Sequence, residues 1–159
     1  MDQALDRLQW LKSLPTRGMM DALGIEVTEL TPGRVVATMP VDDRTRQPFG
    51  LLHGGASVSL AETVASLGAF ANIDPERFAA VGVEINANHL RARTDGILTA
   101  TAVPIHTGRT THVWSIEIVD ETGRKVCVSR CTLAIVPRTD DGGNAGQSAR
   151  SGGTGAAGQ

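Results

Sequence analysis

Three features of this sequence predict an α+β fold in which an antiparallel sheet wraps around one long apolar helix. A run of small and apolar residues extends from Leu51 to Ile73 and is closed by Asp74-Pro75. On both sides of it, segments alternate apolar and polar residues with the two-residue period of a strand. Turn sequences join neighbouring segments, Thr31-Pro32-Gly33 before the run and Asp120-Glu121-Thr122-Gly123 after it. Strands grouped before and after a single helix, rather than alternating with helices, are the signature of this class.

The elements follow in order. Leu5, Leu8 and Leu11 recur every third residue and predict a short amphipathic helix over residues 2–13, ended by Pro15. Gly24 opens β structure, and residues 25–30 form the first strand. Residues 34–41 form the second, with Val35, Ala37, Met39 and Val41 on one face. The polar, turn-rich stretch from Asp42 to Gly50 leads into the central helix, which reads as buried nearly all round. Four further strands are expected at about 79–90, 96–104, 110–119 and 125–136. On the third strand Val81, Val83, Ile85 and Ala87 alternate, and His89 continues their face toward the helix.

The chain of 159 residues suits one domain, expected over 1–138. From Thr139 to Gln159 no large apolar residue occurs, so a disordered Gly/Ser-rich tail is expected. A net charge of −2 leaves no electrostatic footprint for nucleic acid, and 3% aromatic content without Tyr argues against base stacking. Cys127 and Cys131 share a strand face but stand about 13 Å apart, too far to bridge, so two buried free thiols and a reducing compartment are expected. Asp2 and Asp6 occupy the place of a basic leader region, and the central run carries His53 and Glu62. Neither a signal peptide nor a membrane span is expected, and a cytoplasmic location is.

Glu62 is the single carboxylate inside the apolar run. A buried acid costs several kcal/mol unless it is paired, hydrogen-bonded or protonated. It is either a structural acid at an oligomer interface or a base or nucleophile tuned by burial. Ser59 and Ser66 share its helical face and are in position to hydrogen-bond the carboxylate. His53-Gly54-Gly55 stands at the helix start, where backbone N–H groups lack internal partners and meet the positive end of the dipole. Such groups stabilise a developing oxyanion, although glycines also serve a turn for shape alone. His53 and Glu62 are nine residues apart, about 13 Å of helical rise on opposite faces. One helix does not bring Gly54 and Glu62 to one carbonyl, whereas two antiparallel copies do, so a shared site across a dimer is expected. The basic, hydroxyl-rich stretch His106-Thr107-Gly108-Arg109-Thr110-Thr111-His112 reads as a hairpin loop, either a phosphate holder or a solvated turn. The four histidines lack ligand spacing, so neither metal nor cofactor is expected.

The stretch Gln47-Pro48-Phe49-Gly50-Leu51-Leu52-His53-Gly54-Gly55-Ala56-Ser57, followed by Leu60-Ala61-Glu62, resembles the hotdog-fold acyl-CoA thioesterases. The branch is the one that includes the thioesterases for 1,4-dihydroxy-2-naphthoyl-CoA, for enterobactin-pathway proofreading and for 4-hydroxybenzoyl-CoA of the Arthrobacter type. Gly82-Val83-Glu84-Ile85-Asn86-Ala87-Asn88-His89 is a second match, and the resemblance spans roughly residues 20–137. It implies a hotdog fold and hydrolysis of an aromatic acyl-CoA to the free acid and coenzyme A. Glu62 is implied as the catalytic carboxylate and Gly54 as the N–H donor to the thioester carbonyl. Gln47 and His53 are implied to line the thioester, and Ser66 to assist the hydrolytic step. Gly82 and the run His89, Leu90, Arg91 and Ala92 are implied as substrate contacts, and residues His106 to Thr111 as the coenzyme A segment. Arg109 departs from the small residue that similar proteins carry there. Homodimers with shared sites, paired into tetramers, are also implied. The alternatives are a non-catalytic acyl-CoA-binding module, or an enoyl-CoA hydratase on the same fold, which the absence of a His after the helical acid disfavours.

Overall fold

The fold, taken from a computed structural model, is described for residues 3–138. The expected tail at 139–159 and the first residue of the expected N-terminal helix lie outside them. Nine elements follow one another: α1 (Gln3–Ser13), α2 (Met19–Leu23), β1 (Glu26–Thr31), β2 (Arg34–Pro40), α3 (Gly54–Ala71), β3 (Phe78–His89), β4 (Ile97–Thr107), β5 (Thr111–Val119) and β6 (Lys125–Pro137). The six strands make one antiparallel sheet in the order β1-β2-β4-β5-β6-β3, so β1 and β3 are its edges. The long helix α3 packs across the sheet and touches every strand. This is the hotdog architecture.

The core lies between α3 and the concave face of the sheet. Leu60, Ala61, Val64, Ala65 and Ala69 are fully buried against Val35, Met39, Leu98, Trp114, Ile116 and Leu133. Burial of each large side chain contributes about 1.5–3 kcal/mol. The small residues of α3 let the helix sit close to the sheet. At Gly68 the fit is tight, because a methyl group there would stand 2.5 Å from the ring of Trp114. A glycine that is costly for helix propensity therefore opens the notch that takes the indole.

Four sequence expectations are corrected. Gly24 does not open a strand. It caps the short helix α2 in the left-handed conformation, with φ 69°. The helix α3 is not covered all round, because one sheet covers one side, and Glu62 is exposed. The strand β4 runs to Thr107 and β5 starts at Thr111, so the loop between them is only residues 108–110. The third strand does not alternate as its apolar residues suggest. A bulge between Gly82 and Glu84 sets two residues of β3 against one step of β6. Val81 and Val83 are 49% and 65% exposed, while Ala80, Ile85 and Ala87 pack on the core.

Candidate active site

The approach to α3 is a pinned loop. Thr45 is buried, its hydroxyl donates to Pro40 O, and its own carbonyl accepts from His53 N–H. Gln47 N–H donates to Leu51 O at 2.8 Å and Gly50 N–H to Gln47 O at 2.9 Å. This closes a turn in which Gly50 has φ 84°, a conformation that glycine adopts without penalty. The side-chain oxygen of Gln47 accepts from Phe49 N–H, which leaves its amide NH2 as a free donor. His53 caps α3, and its Nδ1 accepts from Gly55 N–H at 2.9 Å. An accepting Nδ1 puts the proton of the neutral ring on Nε2. The Gly54 N–H, first in the helix, has no partner within the helix and donates to no described residue.

The imidazole of His89 lies directly against this helix start. A methyl group on Gly54 would stand 2.9 Å from His89 Nε2. Gln47, Gly54, His89, Leu90, Arg91 and Ala92 share one cavity of about 430 Å³. Leu51, Leu52, Ser57 and Val126 complete its wall, which mixes polar and apolar side chains. Leu90 and Arg91 are held there by N–H bonds to Val126 O. Six of the expected site residues are therefore brought together by one chain.

Glu62 is not among them. It lies eight residues along α3 from Gly54, about 12 Å of rise, against β3. A methyl group at Gly82 would stand 3.0 Å from Glu62 Oε1, so Gly82 leaves room for the carboxylate. Ser59 does not hydrogen-bond Glu62 as expected, because its hydroxyl donates to Gly55 O at 2.8 Å. Ser66 is half-buried one turn beyond Glu62 and is not hydrogen-bonded to it. Cys131 is buried beneath this region. Burial pushes its thiol up to about 11, and the charges of Glu62 and Glu84 act in the same direction. Cys131 therefore stays a protonated thiol at neutral pH. Cys127 is likewise free and buried.

The stretch from His106 to Thr111 forms a third cluster, beyond the far end of α3. Gly108 N–H donates to Thr111 O at 2.9 Å. Gly108 and Arg109 border a smaller cavity of about 190 Å³ with Asn72, Asp74 and His112. His112, expected in a solvated loop, is 3% exposed, and burial lowers its pKa below the ordinary value. The helix of 18 residues separates this cluster from Gly54 by about 27 Å.

Comparison with known proteins decides the family. Residues 49–127 match the thioesterase superfamily. ComA2 of Bacillus subtilis, an esterase by name, is 58% identical over 120 residues, which are 76% of this chain and 95% of that protein. The 1,4-dihydroxy-2-naphthoyl-CoA hydrolase of Escherichia coli is 45% identical over 129 residues, 81% of this chain and 94% of its own. The Staphylococcus aureus thioesterase SAV0944, solved as a glutamate-to-alanine variant, superposes with a TM-score of 0.74 at 44% identity, over 76% of this chain and 99% of that one. The chain belongs to the thioesterase superfamily.

In this thioesterase, sequence reasoning missed Ser57, Leu51, Leu52 and Val126 as cavity walls and missed the bulge on β3. Ser57 stands inside the motif that carries the resemblance, but nothing in the sequence tells a buried helical serine from an exposed one. Among the described residues, no helix of the thioesterase is long and apolar enough to cross a membrane.

Proposed function

We propose that this thioesterase hydrolyses an aromatic acyl-CoA, of the hydroxybenzoyl or dihydroxynaphthoyl kind, at two sites shared by a homodimer. The observation that carries this reading is the uncovered face of α3. It presents Glu62 to the outside, 12 Å of helical rise from the Gly54 cavity. The strand β3 beside it is a sheet edge with exposed Val81 and Val83, an arrangement that proteins rarely leave unpaired. A second copy added edge to edge along β3 continues the sheet and lays two copies of α3 antiparallel. Glu62 of one chain then faces the Gly54 end of the other, and twofold symmetry makes two such sites. The same pairing carries the His106 to Thr111 cluster of one chain toward the cavity of its partner.

In this reading the thioester carbonyl accepts from Gly54 N–H, from the amide of Gln47 and from His53 Nε2. These donors meet the charge that develops on the carbonyl oxygen, a contribution of about 3–4 kcal/mol for one such donor. Glu62 of the partner subunit either takes a proton from the water that attacks the carbonyl carbon, or attacks that carbon itself to form an anhydride that water then opens. The C–S bond breaks, the thiol of coenzyme A leaves with a proton, and the acid remains. Ser66 holds the water. Gly82 and the run from His89 to Ala92 border the acyl group. The cluster from His106 to Thr111 takes the coenzyme A phosphates, with Arg109 as an added cation. Two similarities support this reading. The E. coli relative hydrolyses 1,4-dihydroxy-2-naphthoyl-CoA. The glutamine and glutamate replaced in the S. aureus structures lie fifteen residues apart, as Gln47 and Glu62 do.

The test is thiol release from benzoyl-, hydroxybenzoyl-, dihydroxynaphthoyl- and octanoyl-CoA, with Glu62→Ala, Gln47→Ala and an unfolded-and-refolded mixture of the two. Wild type turns over an aromatic ester, and Glu62→Ala loses at least about 100-fold while remaining folded. Equal mixing restores about a quarter of wild-type activity, because half the dimers are hybrids with one intact site. Mixtures no better than the separate variants exclude the shared site. Glu62→Ala within a few-fold of wild type removes the catalytic role.

A further inference from the structure

Ser57 is buried to 0% exposure in the wall of the Gly54 cavity, and its hydroxyl has no hydrogen-bond partner among the described residues. Other hydroxyls of the same helix behave differently. Ser59 donates to Gly55 O at 2.8 Å and Thr63 to Ser59 O at 2.7 Å, the usual recourse of a helical hydroxyl. The corresponding acceptor for Ser57 is His53 O, which is already taken by the N–H groups of Ala56 and Ser57 itself. Buried polar groups are satisfied in the great majority of cases. Of the four buried unpartnered side-chain atoms among the described residues, those of Ser57, Arg93, His112 and Trp114, only that of Ser57 belongs to this cavity, where a ligand is able to complete it.

Its position says which part of the ligand. Ser57 follows Gly54 by three residues, on the same side of α3 and one turn deeper. With the thioester at Gly54, as proposed above, an acyl group directed one turn further along α3 meets Ser57. Leu51, Leu52, Leu90 and Val126 give this cavity its apolar side chains, while Gln47, His89 and Arg91 give it polar ones. An unpartnered hydroxyl beside leucine and valine side chains suits a flat ring that itself bears a hydroxyl.

We infer that Ser57 is the residue that selects a hydroxylated aromatic acyl group, by exchanging a hydrogen bond with the ring hydroxyl. This rests on the thioesterase reading proposed above and adds its specificity determinant. A site built to bond a substrate hydroxyl discriminates against the analogue that lacks it, because the polar group of the protein is then left unpaired.

The experiment compares kcat/KM for benzoyl-CoA and the three hydroxybenzoyl-CoA isomers in wild type and Ser57→Ala, with a thermal melt of each unliganded protein. Wild type prefers at least one hydroxylated isomer by about tenfold or more. Ser57→Ala reduces that ratio about tenfold, and its melting temperature is equal to or above that of wild type, since the lost hydroxyl had no partner. An unchanged ratio, or equal losses on all four esters, overturns the inference while leaving the thioesterase reading standing. A melting temperature several degrees lower also overturns it, because the hydroxyl then has a partner in the free protein. Absence of thiol release from every ester in wild type overturns both.

Discussion

Gly82 and His89 are seven residues apart on one strand, yet both face the central helix, Gly82 against Glu62 and His89 against Gly54. An odd separation puts two residues on opposite faces of a regular strand. The bulge between Gly82 and Glu84 adds the extra residue that reverses the alternation. It thereby sets the bed of the carboxylate and the wall of the Gly54 cavity on one side of the sheet.

Gly82 governs the position of the carboxylate. A methyl group 3.0 Å from Glu62 Oε1 is too close by a few tenths of an ångström, and Glu62 is exposed and free to yield. Gly82→Ala is expected to fold with an unchanged melting temperature and to lose about tenfold in kcat, with a smaller change in KM, since displacing a catalytic group by 1 Å costs about 100-fold. Steady-state kinetics on the preferred ester checks this. A wild-type kcat excludes close contact between Gly82 and the carboxylate in its proposed catalytic position.

Gly68 presents the opposite case, where the neighbour does not yield. Three ring atoms of Trp114 lie within 2.7 Å of the place a methyl group would take, and the indole is fully buried. Alanine improves helix propensity by about 1 kcal/mol, while overpacking costs about 1–3 kcal/mol or more. With a buried indole as the obstacle, overpacking wins. Gly68→Ala is expected to lose at least about 1 kcal/mol of stability in urea unfolding. A gain in stability shows that the helix shifts to make room.

Asp120 links the turn before β6 to the segment that borders the cavity. Its carboxylate accepts from the Thr122 hydroxyl at 2.6 Å, from Thr122 N–H and Arg124 N–H, and from Arg93 at 3.0 Å. These bonds, led by that of Thr122, hold its pKa well below the ordinary 3.8. A depressed carboxylate stabilises the fold above its unfolded pKa, and that contribution is lost as pH falls below it. Asp120→Asn is expected to melt below wild type at pH 7, with the difference narrowing below about pH 4. A difference constant from pH 7 to pH 3 assigns the loss to packing rather than charge.

Much of this was legible along the chain. The two-residue alternation, the turn sequences and the unbroken run before Asp74-Pro75 predict every described element except the short helix α2 to within a few residues. Helix arithmetic alone separates Gly54 from Glu62. The burial of Glu62 was misread because apolar neighbours along a helix do not say how many layers cover it. Val81 and Val83 were misassigned because a bulge leaves no mark in an alternating pattern. The loop from His106 to His112 was read as longer and wetter than it is, since hydroxyl-rich strand ends resemble turns.

By itself, the sequence determined the secondary structure, the class of fold and the residue types of the candidate site, because each depends on periodicity and chemistry among near neighbours. Only the tertiary structure decided which of those residues meet. It gathered Gln47, Gly54 and His89 around one cavity, left Glu62 on an open helix face and buried Ser57 without a partner. The physical reason is that strand register, a bulge and the reach of one sheet are set by the packing of residues far apart in the chain. No local pattern carries that information.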